Sequence, residues 1–416
     1  MKLTDDEKAM LAGNEGTVRQ KAMELLVRYG EAVGAENLVV TNNVCGDWLA
    51  AWPLGREFGL NGVEPLVLPA PRVFACQTAT SLDPEYWQLQ GATPAQYEAH
   101  AAREAFQVSA GIQQLCTCAP YLAGNVPVKG EHCAWQGATA AVYVNSVLGA
   151  RTNRESSKSS LAALLTGRIP CWGLHLPENR LGTHLINVVW AVESTLDWGL
   201  LGFYTAQQVA SGIPVFSGSL QPPDLVRLKH LSAAAALADG IGLFHIPGRT
   251  AEARDLNAAF GGGQPPDVLR FGKAERRLAY DMLNDGATDN SVDLVILGCP
   301  HCALAELGEI CRLLTGKKVS GNTRLWIFTS RASKAMADRN GYTRIIREAG
   351  GALMSDTCPV QGRFIPRSAK VAATNSAKQA RCLTGSLNMQ CWFGSTAECI
   401  AAAVTGRWRG ELQAGL

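Results

Sequence analysis

The 416-residue sequence lacks an excess of charge of either sign, because 38 lysines and arginines nearly balance 36 aspartates and glutamates. No stripe of basic residues stands out, so the sequence carries no electrostatic footprint of nucleic-acid binding. Charged residues are sparse, at 18%, whereas 47% of residues are hydrophobic. This composition excludes a disordered chain and can fill sizeable cores. We expect a multi-domain globular protein with no nucleic-acid partner.

Long uncharged hydrophobic runs are missing too. The longest apolar stretches are interrupted by charges, as in residues 185–202, where Glu193 and Asp197 intervene. A membrane span needs roughly 18 uncharged residues. The first seven residues already include three acidic side chains, which a secretory signal peptide would not tolerate. These absences predict a cytoplasmic protein with no membrane partner.

Cysteine, in contrast, is abundant, with 13 residues. An odd number of cysteines in a long chain with no recognisable signal peptide argues against a disulfide framework. In a reducing compartment a thiol is either a small core hydrophobe or a metal ligand or nucleophile. We expect about nine or ten of them to be core residues and the others to carry chemistry.

The predicted secondary structure indicates an α/β fold with parallel sheets. A helix over residues 225–239 and a strand over 241–246 form one αβ step. Beyond a Gly- and Pro-rich segment at 260–267, strands and helices alternate at a spacing of about 30 residues. We therefore expect an N-terminal α/β region over residues 1–285, built from two subdomains, and a C-terminal parallel α/β domain over residues 286–416.

Three cysteines share a setting that the others lack. Cys118 follows a predicted helix and precedes a Pro–Tyr turn, Cys299 ends the predicted strand in LVILGCPH, and Cys358 follows the strand in ALMSDTCPV. Ligands of open α/β sheets bind beyond the carboxyl ends of the strands, so Cys299 and Cys358 could face one crevice. Three thiolates from separate loops suit soft-metal or iron–sulfur ligation. Spacing alone leaves open the alternative that all three are core residues.

The run Cys299-Pro300-His301-Cys302 favours a second interpretation. Thiol–disulfide oxidoreductases place a CxxC pair after a strand and at a helix N-terminus, because the helix dipole lowers the thiol pKa. The 298 residues that precede the motif would then have no explanation. On a helix that starts near Pro300, Cys302 would also point into the packing layer.

Taken together, the motifs resemble the aconitase X family. They lie in order along nearly the whole chain: LTDDEKAMLAGNEG from residue 3, TCAPYLAGNVPVKGEH around Cys118, NSVLGARTNRE, ALLTGR, GLHLPENR, LGCPH, SDTCPV, TNSAK and VTGRW, which ends at residue 408. Each motif is unspecific alone, and the ordered set is specific.

The resemblance implies an aconitase-like multi-domain architecture, with parallel-sheet α/β domains around a central cleft. It also implies a hydro-lyase that uses an iron–sulfur centre as a Lewis acid. By position, Cys118, Cys299 and Cys358 match the family's cluster-ligand cysteines, and the sequence leaves open the number of irons, a single iron included. In aconitase-like enzymes the base that removes the proton is a serine on a swivelling domain, which we do not find in this sequence. The resemblance therefore implies a small swivel-domain subunit as partner, and the catalytic base in this chain is unknown.

The departures from the family pattern bear on the substrate. Family members that act on mevalonate 5-phosphate show a pattern with Glu-Ser where this sequence has Gly137 and Ala138. They have Asn-Pro where it has Thr78 and Ala79, and Gly-Val-Ser where it has Gly46-Asp47-Trp48. Without those polar side chains a phosphomevalonate pocket would lose its partners. Lys378, in the polar run TNSAK, matches the family's substrate-facing lysine. The substrate-binding candidates are Gly46, Asp47, Trp48, Thr78, Gly137, Ala138 and Lys378.

These departures favour the reaction of the family's bacterial branch, dehydration of cis-3-hydroxy-L-proline to a pyrroline-2-carboxylate. Mevalonate 5-phosphate dehydration by the large subunit is the first alternative. The remaining alternatives are the thiol–disulfide oxidoreductase and a non-catalytic metal-binding scaffold. A scaffold would have no reason to keep the three cysteines, which are all present.

Overall fold

The computed structural model describes residues 1–48, 68–80, 82–238 and 240–413 of the chain. The first region contains a two-stranded antiparallel ribbon and a three-stranded parallel sheet of order β3-β2-β4. Its described helices and strands, in chain order, are α1 (Asp5–Leu11), α2 (Thr17–Ala32), β1 (Leu38–Val40), β2 (Asn43–Gly46), β3 (Phe74–Gln77), α3 (Pro94–Ser109), β4 (Cys133–Trp135), α4 (Ala138–Tyr143), α5 (Ser157–Thr166) and β5 (Arg168–Pro170).

The second region contains a three-stranded parallel sheet of order β7-β6-β8. Its elements are β6 (His184–Val192), α6 (Thr195–Gln208), β7 (Pro214–Leu220), α7 (Leu225–Ala235), α8 (Leu256–Ala259), β8 (Asp267–Phe271) and α9 (Lys273–Asn284). The strand expected over residues 241–246 is wrong. That segment lies along the open edge of β7 and makes a single bridge to it, between His245 and Val215.

The third region is a doubly wound parallel sheet of five strands. Its elements are β9 (Leu294–Cys302), α10 (Leu304–Leu314), β10 (Arg324–Thr329), α11 (Arg331–Arg339), α12 (Tyr342–Ala349), β11 (Ala352–Ser355), α13 (Pro359–Gly362), β12 (Val371–Thr374), α14 (Ala377–Leu387), β13 (Gln390–Phe393) and α15 (Thr396–Thr405). The strand order β11-β10-β9-β12-β13 reverses between β9 and β12. A crevice is expected at such a reversal, beyond the carboxyl ends of the strands.

The central strand β9 explains the position of this sheet in the core. Eight of its nine residues are buried, as expected for a strand covered on both faces, and Cys299 is the exception. Gly298 has a φ of +99°, and a Cβ at this position would lie 2.1 Å from the carbonyl oxygen of Phe328. Only glycine allows this close approach, which coincides with a register shift against β10. The shift lies at the Cys-Pro-His segment, between the pairs Leu297–Ile327 and Cys302–Thr329.

One hydrophobic core extends through all three regions. It includes Trp135 from the first sheet, Phe216 from the second and Phe393 from the third, each 0% exposed. Smaller clusters fill the N-terminal helices and the outer layer of the third sheet. Because the cores are continuous, the regions hold one another in place.

The division of the cysteines into buried and more exposed residues is close to the one expected from the sequence. All thirteen are free thiols, and eight are buried, slightly fewer than the nine or ten we expected. The half-buried ones are Cys118, Cys171, Cys299, Cys358 and Cys382. The three candidate ligands are therefore among the more accessible thiols.

Arg180 connects the first and second regions. It is 3% exposed, and its guanidinium donates to Glu252 Oε2 at 2.6 Å and to the carbonyl oxygens of Asn145, Ala150 and Leu174 at 2.9–3.1 Å. A buried cation with this many partners fixes the geometry of the segments around it.

Among the described residues, no helix combines the length and the apolar character that crossing a membrane requires.

Substitution Arg180→Met is expected to destabilise the protein strongly, because it leaves Glu252 and three carbonyl groups without their donor. Removing one partner of a buried ion pair costs about 3–5 kcal/mol of unfolding free energy. The measurement is the midpoint of thermal or urea unfolding. Arg277→Met, at an exposed arginine paired with Asp281, is the matched control and should leave the midpoint unchanged. Equal midpoints for the two variants would contradict this account of Arg180.

Candidate active site

The carboxyl ends of two parallel sheets carry nearly all the candidate residues. In the first sheet, β2 ends at Gly46, β3 at Gln77 and β4 at Trp135, so that Asp47, Thr78 and Gly137 follow at one edge. In the third sheet, Cys299 lies near the end of β9, Cys358 follows β11 and Lys378 follows β12. Lys378 and Cys299 therefore stand on the two sides of the strand-order reversal.

The two edges are joined directly. Thr80 lies beside the end of β11, where its N–H donates to Asp356 O at 2.6 Å and Cys358 N donates to Thr80 O at 2.9 Å. The buried carboxylate of Asp83 accepts a hydrogen bond from Ser355 N at 2.6 Å. The loop that carries Cys358 is thus fixed by the first region as well as by its own sheet.

Cys118, Cys299 and Cys358 come together between these edges. Burial raises the pKa of each thiol, that of Cys358 to about 11, and neighbouring Cys118 raises the pKa of both Cys299 and Cys358 further. The charge of Lys378 opposes the shift at all three thiols. The backbone N–H of His301, two residues after Cys299, donates to Cys118 Sγ at 3.3 Å, and its Nε2 lies 2.9 Å from the carbonyl oxygen of Thr357, next to Cys358, so the segments that carry the three thiols meet here.

His301 connects the three cysteine segments. Its backbone N–H donates to Cys118 Sγ at 3.3 Å, its Nδ1 lies 3.0 Å from Thr117 Oγ1, and its Nε2 lies 2.9 Å from Thr357 O. The imidazole is 2% exposed, and burial lowers its pKa to about 4. A neutral ring held on both nitrogens therefore sets the spacing between the loops of Cys118, Cys299 and Cys358.

A buried ion pair supports the Cys-Pro-His segment from behind. Lys229, on α7, is 0% exposed and donates to His301 O at 2.8 Å, to Pro300 O at 3.2 Å and to the carboxylate of Glu306. Burial opposes ionisation of Glu306, but Lys229 and His230 outweigh it and lower the pKa of Glu306 to about 2. The second region thereby fixes the backbone next to Cys299.

The substrate-binding candidates fall into two groups. Lys378 Nζ donates to Thr139 Oγ1 at 2.5 Å, next to half-buried Gly137 and Ala138. Asp47 accepts from Gln77 Nε2 at 3.0 Å, and Thr78 N donates to Gly46 O at 2.9 Å. These residues surround the cysteines.

Trp48, one of the expected substrate-binding residues, lies in the core instead of the cleft. Its side chain is 1% exposed within the N-terminal core, its indole N–H donates to Ser160 Oγ at 3.2 Å, and a Cβ on Gly46 would lie 2.7 Å from its ring. Trp48 and Gly46 are therefore packed against each other. The indole offers no surface to a substrate.

The structure also corrects the interpretation of the CxxC motif. Strand β9 continues through Cys302 and helix α10 begins only at Leu304, so the motif does not lie at a helix N-terminus. Cys302 is 2% exposed in the outer core beside Leu307, and burial raises the pKa of its thiol. A disulfide exchanger needs an accessible low-pKa thiol, so the oxidoreductase alternative is wrong in its premise.

Several residues of the site escaped sequence reasoning. His301 belongs to the quoted LGCPH motif, which could have identified it, but Thr139, Gln77, Gln136 and Gln361 lie in segments with no distinguishing pattern. They are recognised only through their contacts with Lys378 and Asp47.

Cysteine thiolates suit an iron–sulfur cluster. Over the described ranges, no three His, Cys, Asp or Glu side chains are placed to hold a single metal ion. A cluster in which each thiolate binds its own iron does not require such a compact set.

Comparison with known proteins identifies similar chains. Residues 1–178, 182–281 and 292–405 match the family models described as Aconitase X first, second and third domain. The crystal structure of Thermococcus kodakaraensis aconitase X in its holo-form superposes with a TM-score of 0.84 at 30% identity, covering 97% of this chain and 100% of that one.

Two curated relatives differ in their named substrates. The phosphomevalonate dehydratase large subunit of Methanocaldococcus jannaschii is 35% identical over 96% of this chain and 99% of its own length. The cis-3-hydroxy-L-proline dehydratase of Pseudomonas aeruginosa is 34% identical over 99% of this chain and 71% of its own length. Overall identity therefore does not separate the two substrates.

Substitution His301→Leu is expected to loosen the cysteine loops, because it removes both ring hydrogen bonds. Each lost buried hydrogen bond costs about 1–3 kcal/mol, and about 1.4 kcal/mol corresponds to a tenfold change in local opening. Amide hydrogen exchange should therefore accelerate by about tenfold or more in peptides that cover residues 116–123 and 355–362. His184→Leu, on β6, is the control. Unchanged exchange in both peptides would contradict the bridging role of His301.

Proposed function

The chain belongs to the aconitase X family, and from this premise we propose that it is the large subunit of an iron–sulfur-dependent dehydratase of a small hydroxy carboxylic acid. The proposed reaction is dehydration of cis-3-hydroxy-L-proline, in which the Cα proton and the C3 hydroxide leave as water and a pyrroline-2-carboxylate results. The observation that supports the proposal most is that hydrogen bonds of His301 and Thr80 bring the segments of Cys118, Cys299 and Cys358 together at the edges of two sheets.

The proposed cluster ligands are Cys118, Cys299 and Cys358. When bound, an iron–sulfur cluster would act as a Lewis acid toward the substrate's hydroxyl group. The chain's own residues prepare the site in two ways. The ammonium of Lys378 favours the thiolate forms, and the N–H of His301 donates to the sulfur of Cys118. Hydrogen bonds to ligand atoms orient them and adjust their electronic properties.

Lys378 is the proposed partner of the substrate carboxylate. Among the described residues, the acceptor of its ammonium is the neutral hydroxyl of Thr139, so its charge is available to an anion that enters the cleft. A fixed ammonium beside a carboxylate also favours loss of the adjacent Cα proton, because it stabilises negative charge that develops there. Gly137 and Ala138 line the same side and carry no side chain that could bind a phosphate.

The partner in this proposal is a small swivel-domain subunit that carries the catalytic base. The words "large subunit" in the names of several relatives support a second subunit. The three family-model matches support the division of the chain into two subdomains over residues 1–285 and a third domain over 286–416. The names of the relatives favour catalysis over a metal-binding scaffold.

Mevalonate 5-phosphate dehydration is the second candidate. It is favoured by the relatives named phosphomevalonate dehydratase large subunit, one of which is 35% identical to this chain. Both substrates therefore belong in the same assay.

The test is turnover by the chain purified without oxygen together with its small subunit. We expect formation of a pyrroline from cis-3-hydroxy-L-proline, measured by trapping the product with o-aminobenzaldehyde. We expect no dehydration of mevalonate 5-phosphate. Turnover of mevalonate 5-phosphate alone would contradict the substrate assignment.

Substitution Cys118→Ser should abolish bound iron and the broad visible absorbance, and lower turnover by more than about 100-fold. Substitution of a residue that only hydrogen-bonds to a metal ligand already lowers metal affinity or activity by roughly 10- to 100-fold. Cys171→Ser, at a half-buried cysteine elsewhere, is the matched control and should keep colour and activity. A brown, active Cys118→Ser variant would exclude Cys118 as a ligand.

A further inference from the structure

Asp47 places a negative charge at the edge of the site opposite Lys378. Its carboxylate accepts a hydrogen bond from Gln77 Nε2 at 3.0 Å and another from the side chain of Gln361, which lies three residues after Cys358. The carboxylate therefore reaches the loop of a proposed cluster ligand. The residue is half-buried.

The four-residue segment 136–139 contacts both charged residues. Asp47 N donates to Gln136 Oε1 at 2.7 Å, and Lys378 Nζ donates to Thr139 Oγ1 at 2.5 Å. The backbone of Asp47 and the ammonium of Lys378 thus contact the two ends of one short segment. A site with both signs of charge complements a ligand that carries both.

The amides of Gln77 and Gln361 give the Asp47 carboxylate a fixed direction. Gln77 is itself 0% exposed, and its Oε1 accepts from Trp48 N at 3.2 Å and from Gln107 Nε2 at 3.1 Å. A carboxylate oriented in advance binds a cation with a smaller loss of conformational freedom. The same charge repels a phosphate group, which carries close to two negative charges at neutral pH.

We propose that Asp47 recognises the cationic amino nitrogen of an α-amino acid substrate while Lys378 binds its carboxylate. This inference rests on the proposed dehydratase function and adds the residue that selects the substrate class. The site then selects a zwitterion, in which the two charged groups are attached to the same carbon, over a phosphorylated hydroxy acid.

The test compares two substrates on the holoenzyme with its small subunit. One is cis-3-hydroxy-L-proline, and the other is cis-2-hydroxycyclopentanecarboxylate, which replaces the ring nitrogen by carbon. Asp47→Asn should lower kcat/KM for hydroxyproline by roughly 10- to 100-fold, mainly through KM, as expected for loss of a charged hydrogen bond. For the carbocycle, as substrate or as competitive inhibitor, the variant should bind as well as the wild type or better.

Asp281→Asn, on the exposed face of α9, is the matched control and should leave both values unchanged. The visible spectrum of each variant reports whether the Cys358 loop has kept its place. An equal loss for both ligands would make Asp47 a structural residue and overturn the inference. If the wild-type enzyme does not dehydrate hydroxyproline, the proposed function is overturned. If Asp47→Asn dehydrates hydroxyproline with wild-type kinetics, this inference alone is overturned.

Discussion

The pairing of Thr80 and Asp83 with the end of β11 is the contact on which the rest of the site depends. It joins the carboxyl edges of two parallel sheets through Thr80, Asp83 and the backbone around Cys358. Parallel strands end at one edge with their backbone groups unpaired, and this is why ligands bind there. By joining two such edges, the fold brings side chains that are distant in sequence to one cleft.

Buried polar groups maintain the geometry inside that cleft. His301 connects the loops of Cys118 and Cys358, and Lys229 anchors the backbone of the His301 segment from α7. Both are almost completely buried: Lys229 donates to groups of the third region, and His301 is bonded to Thr117 of the first region and to Thr357 of its own. Buried groups of this kind are costly when unpaired, so they favour one arrangement of the regions over its alternatives.

The sequence predicted the fold better than the details of the site. Strand–helix alternation predicted the parallel sheet around β9, because apolar runs and their spacing report burial directly. The family resemblance led to Cys118, Cys299 and Cys358. Sequence could not show that Trp48 is a core residue or that β9 continues to Cys302, since tertiary packing decides both. Nor could it find Thr139 or Gln361, whose roles come only from contacts made across more than 200 residues.

The central claim is that Cys118, Cys299 and Cys358 together hold one iron–sulfur cluster in the cleft between the two sheet edges. X-ray diffraction from crystals grown without oxygen, with data on both sides of the iron absorption edge, tests it most directly. The account predicts a single anomalous peak among the three sulfurs, next to Lys378. A peak bonded to other side chains, or iron-loaded and active protein with no peak among these cysteines, would contradict it.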